Sequence, residues 1–415
     1  MSQLLVEQSP PLKGEIKISG AKNSALVLMC ASLLSNEDLV LRNVPSLRDI
    51  HTLQTVLLSL GGKISFANNQ MVLNCSNINN VTADYELVKT MRATILVLGP
   101  LLAKYKQAIV SLPGGCAIGA RPIDQHIKGL QAMGADIVIE NGYIYAKTSG
   151  LKGANIVFDF PTVTSTENIL MAAVLAQGDT VIENAALEPE ISDLAHCLLA
   201  MGAKIEGIGS SVLKITGVKN LHSADFTVMP DRIETGSFAV AATITRGDLT
   251  LINTSGLLLT SVLQKLDEIG AIIKSGDNYI NIKMNKQIQS FDIITKPFPA
   301  FPTDLQAQFM ALATIAVGSS LFHETIFENR YMHASELMRM GANIDIHGSY
   351  ARVKGVKKLY GAKVMATDLR ASMSLVLAAL VADGKTVIDR IYHLERGYEN
   401  IEVKLGQVGA KIKKT

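Results

Sequence analysis

One five-residue pattern occurs six times: an apolar residue, Gly, a small residue, a variable residue and Ile. It reads Leu60-Gly61-Gly62-Lys63-Ile64, Met133-Gly134-Ala135-Asp136-Ile137, Met201-Gly202-Ala203-Lys204-Ile205, Ile269-Gly270-Ala271-Ile272-Ile273, Met340-Gly341-Ala342-Asn343-Ile344 and Val408-Gly409-Ala410-Lys411-Ile412. The glycines stand 73, 68, 68, 71 and 68 residues apart. An interval this regular means that the chain repeats one structural unit six times.

The residues before each glycine read as an amphipathic helix, as at Ile123, Ile127, Leu130 and Met133. The glycine is a left-handed terminator, and the Ile-rich residues after it open a strand. Earlier in each unit lies a run that is apolar on nearly all sides: residues 25–34, 93–103, 169–176, 238–245, 309–317 and 373–382. A helix apolar all round must be buried all round. The unit therefore predicts one inner helix, with sheet and a second helix around it. Repeats near 70 residues are longer than those of open solenoids, which favours two closed domains of three units. Val228-Met229-Pro230-Asp231-Arg232, near the midpoint, is the expected crossover.

Composition excludes several classes. The net charge is +2 and basic residues come only in short pairs, which argues against a nucleic-acid partner. The first residues lack the pattern of a signal peptide, and apolar runs of around ten residues are too short to span a bilayer. Cys30, Cys75, Cys116 and Cys197 show neither paired nor metal-ligand spacing, so a reducing, cytoplasmic setting is expected. No dinucleotide or P-loop fingerprint occurs, and no cofactor or metal is expected.

Chemistry is expected where the inner helices begin. Lys22, Arg92 and Arg370 stand at three corresponding helix entries, where a cation opposes the helix dipole. Either they are solvated side chains, or an anion lies between them and the free N–H groups; three in register favour the anion. Residues 113–122, Pro-Gly-Gly-Cys-Ala-Ile-Gly-Ala-Arg-Pro, form a loop carrying Cys116 and Arg121. Cys116 is either a reactive thiol or a small apolar residue in a glycine turn. Pro122 suits the first position of the following helix. Arg330 and Arg396 lie in polar loops after strands and, with the other cations, could hold a substrate bearing several negative charges.

Gly20-Ala21-Lys22-Asn23, the cysteine loop, Pro230-Asp231-Arg232-Ile233-Glu234-Thr235-Gly236, Phe301-Pro302-Thr303-Asp304, Phe327-Glu328-Asn329-Arg330 and Asp368-Leu369-Arg370-Ala371 together resemble the bacterial UDP-N-acetylglucosamine enolpyruvyl transferases. The resemblance runs from near residue 13 to near residue 410. It implies an α/β fold of two domains, each of three βαβαββ-type repeats in an inside-out barrel whose inner helices point their N-termini at an interdomain cleft. It implies a discontinuous domain of residues 1–21 and 230–415, and a second of residues 22–229 carrying the cysteine loop.

It also implies transfer of the enolpyruvyl group of phosphoenolpyruvate to the 3′-hydroxyl of UDP-N-acetylglucosamine, the first committed step of peptidoglycan synthesis. Carried over by position, Asp304 is the expected base, and Cys116 the proton donor and site of a phosphoenolpyruvate adduct. Lys22 is expected in catalysis, and Lys22, Asn23, Arg121, Arg330, Arg370 and Arg396 around phosphoenolpyruvate. Asn23, Arg92, Arg121, Pro122, Ile123, Asp124, Gln125, Asp304 and Ile326 are expected around the UDP-sugar. Some relatives carry a lysine near the diphosphate where this chain has Asp159-Phe160-Pro161-Thr162-Val163-Thr164. Two rivals remain: transfer to shikimate 3-phosphate, and a non-catalytic scaffold that binds a nucleotide-sugar. Cys30 and Cys197 read as core, and His126 as either a first-turn helix residue or a participant.

Overall fold

A computed structural model describes residues 2–89, 91–112, 119 and 122–415. Cys116 and Arg121 lie outside the described residues. Six four-stranded sheets recur with one topology. An edge strand runs parallel to the strand that follows the inner helix; in five sheets the second and then the first strand of a hairpin continue antiparallel, and in the sixth Leu4–Glu7 takes the place of the second hairpin strand. Along the strands burial alternates, as in Tyr279–Lys283, so one face of each sheet packs inward.

The six inner helices are Lys22–Ala31, Leu98–Tyr105, Val163–Ala173, Arg232–Ile244, Gln306–Ala313 and Leu369–Val381. All 13 residues of Arg232–Ile244 are buried. Five of the six begin before the apolar run does, because a helix's first turn can be polar where its end is capped or solvated. Leu98–Tyr105 is the exception: its entry is a 3-10 segment, Arg92–Val97. Side-chain capping accounts for two starts. Asp231 accepts from the N–H groups of Ile233 and Glu234, and Asp368 from those of Arg370 and Ala371.

All six pattern glycines have φ between +89° and +109°. Each ends a helix with the paired bonds of a Schellman motif, such as Gly134 N–H to Gln131 O at 2.9 Å and Ala135 N–H to Leu130 O at 3.0 Å. A second repeated device escaped the sequence reading. Asn43, Asn184 and Asn253 sit in the left-handed region just after a strand. Their side-chain amides donate to the carbonyls of Val228, Phe158 and Ile18, at 3.0, 2.9 and 2.9 Å, fastening the parallel edge strand.

Two compact units result. One holds the described residues of 20–229 apart from Gly119; the other holds residues 2–19 and 230–415. Each has its own apolar core. Within the second unit the N-terminal residues serve two sheets: Leu4–Glu7 pairs with Lys385–Asp389 and Lys411–Lys414, while Lys13–Lys17 pairs with Asp248–Ile252. In the first unit, Ala224–Thr227 closes the sheet of Leu39–Arg42.

Candidate active site

In the discontinuous unit the helix entries bring charged groups together. Asp304 lies in the 3-10 turn Thr303–Leu305, which leads into Gln306–Ala313. Its Oδ1 accepts from Arg330 Nη2 at 2.8 Å and its Oδ2 from Arg370 Nη2 at 3.3 Å. Both arginine side chains are 4% exposed, whereas that of Asp304 is 31% exposed. Water therefore reaches the carboxylate but not the cations that stabilise it. Burial works against the charge of Arg370, but Asp304, Tyr398 and Asp231 outweigh it and raise the guanidinium pKa. Arg330 stacks near the Phe327 ring at 5.5 Å, and Arg370 near the Tyr398 ring at 5.8 Å.

The neighbouring loop is shaped by Glu324, a buried carboxylate that the sequence reading missed. It accepts from Ile326 N–H at 2.9 Å, Phe327 N–H at 3.2 Å and the Thr303 hydroxyl at 2.9 Å. Ile326 and Thr303, the residue before Asp304, are thus held to one carboxylate. Arg396 ends the 3-10 segment Ile391–Arg396 and is half-buried. Buried His333 is pushed down to about 4: burial disfavours its charge, Asp368 opposes and Arg330 adds.

In the other unit Lys22 is the first residue of its helix, and its Nζ lies 3.2 Å from Asp49 Oδ2, with both residues buried. Asp49, unnoticed in the sequence, is an anion of the protein itself at this helix entry. Asn23 beside it is exposed. Arg92 opens the 3-10 segment Arg92–Val97, its Nη2 3.5 Å from the Pro122 carbonyl. The helix that follows the cysteine loop is Asp124–Ala132, so Pro122 stands two residues before it rather than at its first position. Ile123, between them, has helix-bridging angles of −108° and 7° and completes the turn into the helix.

Gln125 donates to Asp124 Oδ2 at 3.0 Å and to Asp159 Oδ2 at 2.8 Å, and accepts from Asp159 N–H at 3.1 Å. Lys128 adds a 2.8 Å contact to Asp159, and these hydrogen bonds draw the pKa of that carboxyl below its usual value. Phe160, in the same segment, is 47% exposed.

His126 belongs to the scaffold. Its Nδ1 is 3.0 Å from Asn168 Nδ2, and so accepts; its Nε2 faces the Thr164 hydroxyl at 3.2 Å. Burial, aided by Arg92 and opposed by Asp124, depresses it to about 3, so the ring is neutral. Asn168 also donates to Ile95 O at 3.0 Å and accepts from Gly99 N–H at 2.6 Å. A Cβ at Gly99 would lie 2.3 Å from Asn168 O, so only glycine permits this helix contact.

Cys30, Cys75 and Cys197 are free and buried, and burial raises all three thiols, Cys197 to about 12. Among the described residues no cluster of His, Cys, Asp and Glu could hold a metal, and no helix is long and apolar enough to cross a membrane.

A family model described as EPSP synthase (3-phosphoshikimate 1-carboxyvinyltransferase) matches residues 6–405. The chain is 57% identical to a UDP-N-acetylglucosamine 1-carboxyvinyltransferase of Dichelobacter nodosus (strain VCS1703A), over 100% of this chain and 99% of that protein. Among solved structures, the enolpyruvyl transferase NikO from Streptomyces tendae superposes with a TM-score of 0.90 at 22% identity, covering 100% of this chain and 99% of the other. EPSP synthase from Acinetobacter baumannii does so with a TM-score of 0.80 at 17% identity, covering 100% of both. At such identities these two structures speak to the fold, which is the same inside-out α/β fold.

Proposed function

The chain belongs to the enolpyruvyl transferase family, and from that premise we propose that it transfers the enolpyruvyl group of phosphoenolpyruvate to the 3′-hydroxyl of UDP-N-acetylglucosamine. The observation that carries the acceptor is the 57% identity over the full length of a relative named for that reaction. The product enters peptidoglycan synthesis, and the enzyme works in the cytoplasm.

The reaction runs by addition and elimination. The 3′-oxygen bonds to C2 as its proton leaves and another reaches C3; phosphate then departs as C3 gives a proton back. Asp304 takes the hydroxyl proton and Cys116 supplies the proton to C3. Arg330 and Arg370 act twice. Before substrate binds they neutralise Asp304. The anionic groups of phosphoenolpyruvate then compete for them and free the carboxylate to act as base. Lys22, Arg121 and Arg396 complete the charge around the phosphate. Asn23, Arg92 and residues 121–125 bind the UDP-sugar together with Ile326. Because residues 159–164 include no lysine, backbone N–H or hydroxyl groups of that segment take the diphosphate contact.

The test is phosphate release from phosphoenolpyruvate with each acceptor. Release with UDP-N-acetylglucosamine is expected. Release only with shikimate 3-phosphate would move the chain to the other branch of its family, and release with neither would end the enzymatic reading. Alkylation of Cys116 by fosfomycin, read by mass spectrometry of the peptide, tests the thiol separately.

A further inference from the structure

We propose that Glu324 is a positioning residue: its carboxylate fixes the main chain entering Asp304 against that of Ile326 and Phe327. The proposal deepens the reading above and rests on it for the roles of Asp304 and Ile326. Glu324 directly follows the strand Ser319–His323 and is 3% exposed.

The backbone of Glu324 is itself anchored. Its N–H donates to Ser349 O at 2.9 Å, and the next N–H, of Thr325, donates to Thr295 Oγ1 at 3.0 Å. From that base the side chain reaches two separate segments. Oε1 accepts from Ile326 N–H at 2.9 Å and Phe327 N–H at 3.2 Å, and Oε2 from the Thr303 hydroxyl at 2.9 Å. A hydroxyl has one proton, and that of Thr303 is committed to Glu324. An ionised carboxylate only accepts, so it matches three donors arriving from two segments.

Asp304 depends on this hold because the turn that carries it is weak. Thr303–Leu305 is a single 3-10 turn, and the hydrogen bonds of such turns are poorer than those of an α-helix. Side-chain contacts therefore set where it lies: Thr303 to Glu324, and Gln308 Nε2 to Asp304 O at 3.0 Å. The carboxylate end of Asp304 leads back to Glu324 as well. Glu324 holds the Phe327 N–H, the Phe327 ring lies 5.5 Å from the Arg330 guanidinium, and Arg330 pairs with Asp304 Oδ1 at 2.8 Å. One buried group thus fixes both ends of the base, and it also holds Ile326, assigned above to the UDP-sugar. Glu324 thereby sets the distance from base to acceptor hydroxyl, where a shift of about 1 Å can cost about 100-fold in rate.

Thr303→Val is the first test: it removes the hydroxyl, keeps the shape and leaves the hold on Ile326 and Phe327 in place. Its kcat should fall about 10- to 100-fold with both KM values within about threefold, and Thr303→Ser should recover most of that loss. Glu324→Ala frees both segments, so kcat should fall and KM for UDP-N-acetylglucosamine should rise as well. In that background Thr303→Val should cost less than about threefold more, because its partner is already gone. Wild-type kcat in Thr303→Val, a defect confined to KM, an equal loss in Thr303→Ser, or losses that multiply in the double variant would overturn the proposal. If wild type releases no phosphate, the assigned reaction fails, and amide hydrogen exchange decides the positioning by itself. In Glu324→Ala the N–H groups of Ile326 and Phe327 should exchange at least about tenfold faster, and so should that of Leu305, which closes the turn on Pro302 O. Unchanged exchange at Leu305 would mean that Glu324 does not hold the turn. Should Glu324→Ala not fold, Thr303→Val and Thr303→Ser carry both readouts, and Leu305 exchange must rise in the first only.

Discussion

Asp304 is held by two arginines that are themselves cut off from water, so its removal does two kinds of damage. Asp304→Asn keeps the size of the side chain but takes away the base, and kcat should fall about 10²- to 10⁴-fold with a smaller change in KM. Steady-state kinetics with both substrates checks this; a defect confined to KM would reassign Asp304 to binding. The same variant deprives two buried guanidinium groups of the carboxylate they pair with. Stability should therefore drop by about 1–3 kcal/mol in urea denaturation, below the cost of breaking a fully buried pair because Asp304 is partly hydrated. The sequence made Asp304, Arg330 and Arg370 legible because each stands in a specific motif. Asp49 and Glu324 were not legible in that way, since their roles arise only when separate elements converge.

At the scale of elements, the repeated glycine was the strongest signal in the chain, and its physical basis is visible. Gly134 has φ of +89° with open space where a Cβ would go, so Gly134→Ala should cost only backbone strain, about 1–2 kcal/mol. Gly61 has φ of +109° and, in addition, a Cβ there would meet Asn77 O at 2.8 Å. Gly61→Ala should therefore cost clearly more, and equal costs in urea denaturation would refute the distinction. Helix starts were less legible, because an apolar run marks what is buried and says little about a polar first turn. His126 shows how such a start is used. Folded, it stays neutral down to about pH 3; unfolded, it takes up a proton near its ordinary value of 6.5. The unfolded state thus binds more protons between those limits, and stability present above pH 6.5 is lost as pH falls towards 3. The slope from this one group is at most about 1.4 kcal/mol per pH unit. Replacing it by glutamine should flatten the pH dependence of stability between 6.5 and 4 by up to one proton; an unchanged slope would show that other groups govern acid sensitivity.

At the scale of the molecule, the pattern of six units was legible in the periodicity, but the way they close was implied only by the family resemblance, because strand exchange between distant segments leaves no mark in a periodicity. Residues 20–229 contain all three of their sheets, including the closing strand Ala224–Thr227. Residues 230–415 do not: they lack the strands Leu4–Glu7 and Lys13–Lys17, and with them Leu4, Val6, Leu12, Ile16 and Ile18, all at most 2% exposed. Five such side chains contribute about 1.5–3 kcal/mol each, on the order of 10 kcal/mol together. That equals the whole stability of a typical domain, about 5–15 kcal/mol. The fragment 20–229 should therefore unfold cooperatively on its own, whereas 230–415 should not fold. The geometry also supplies the remedy. Gln3 and Thr415 exchange backbone hydrogen bonds of 2.9 Å in both directions, so the two ends of the chain lie side by side. A permuted fragment running 230–415, a short glycine-rich linker and then 1–19 restores both strands without stretching the backbone. It should show a single cooperative transition by circular dichroism and calorimetry where 230–415 shows none. Cooperative folding of 230–415 alone would mean that the N-terminal strands are dispensable, and failure of the permuted fragment would mean that this unit needs the other to fold.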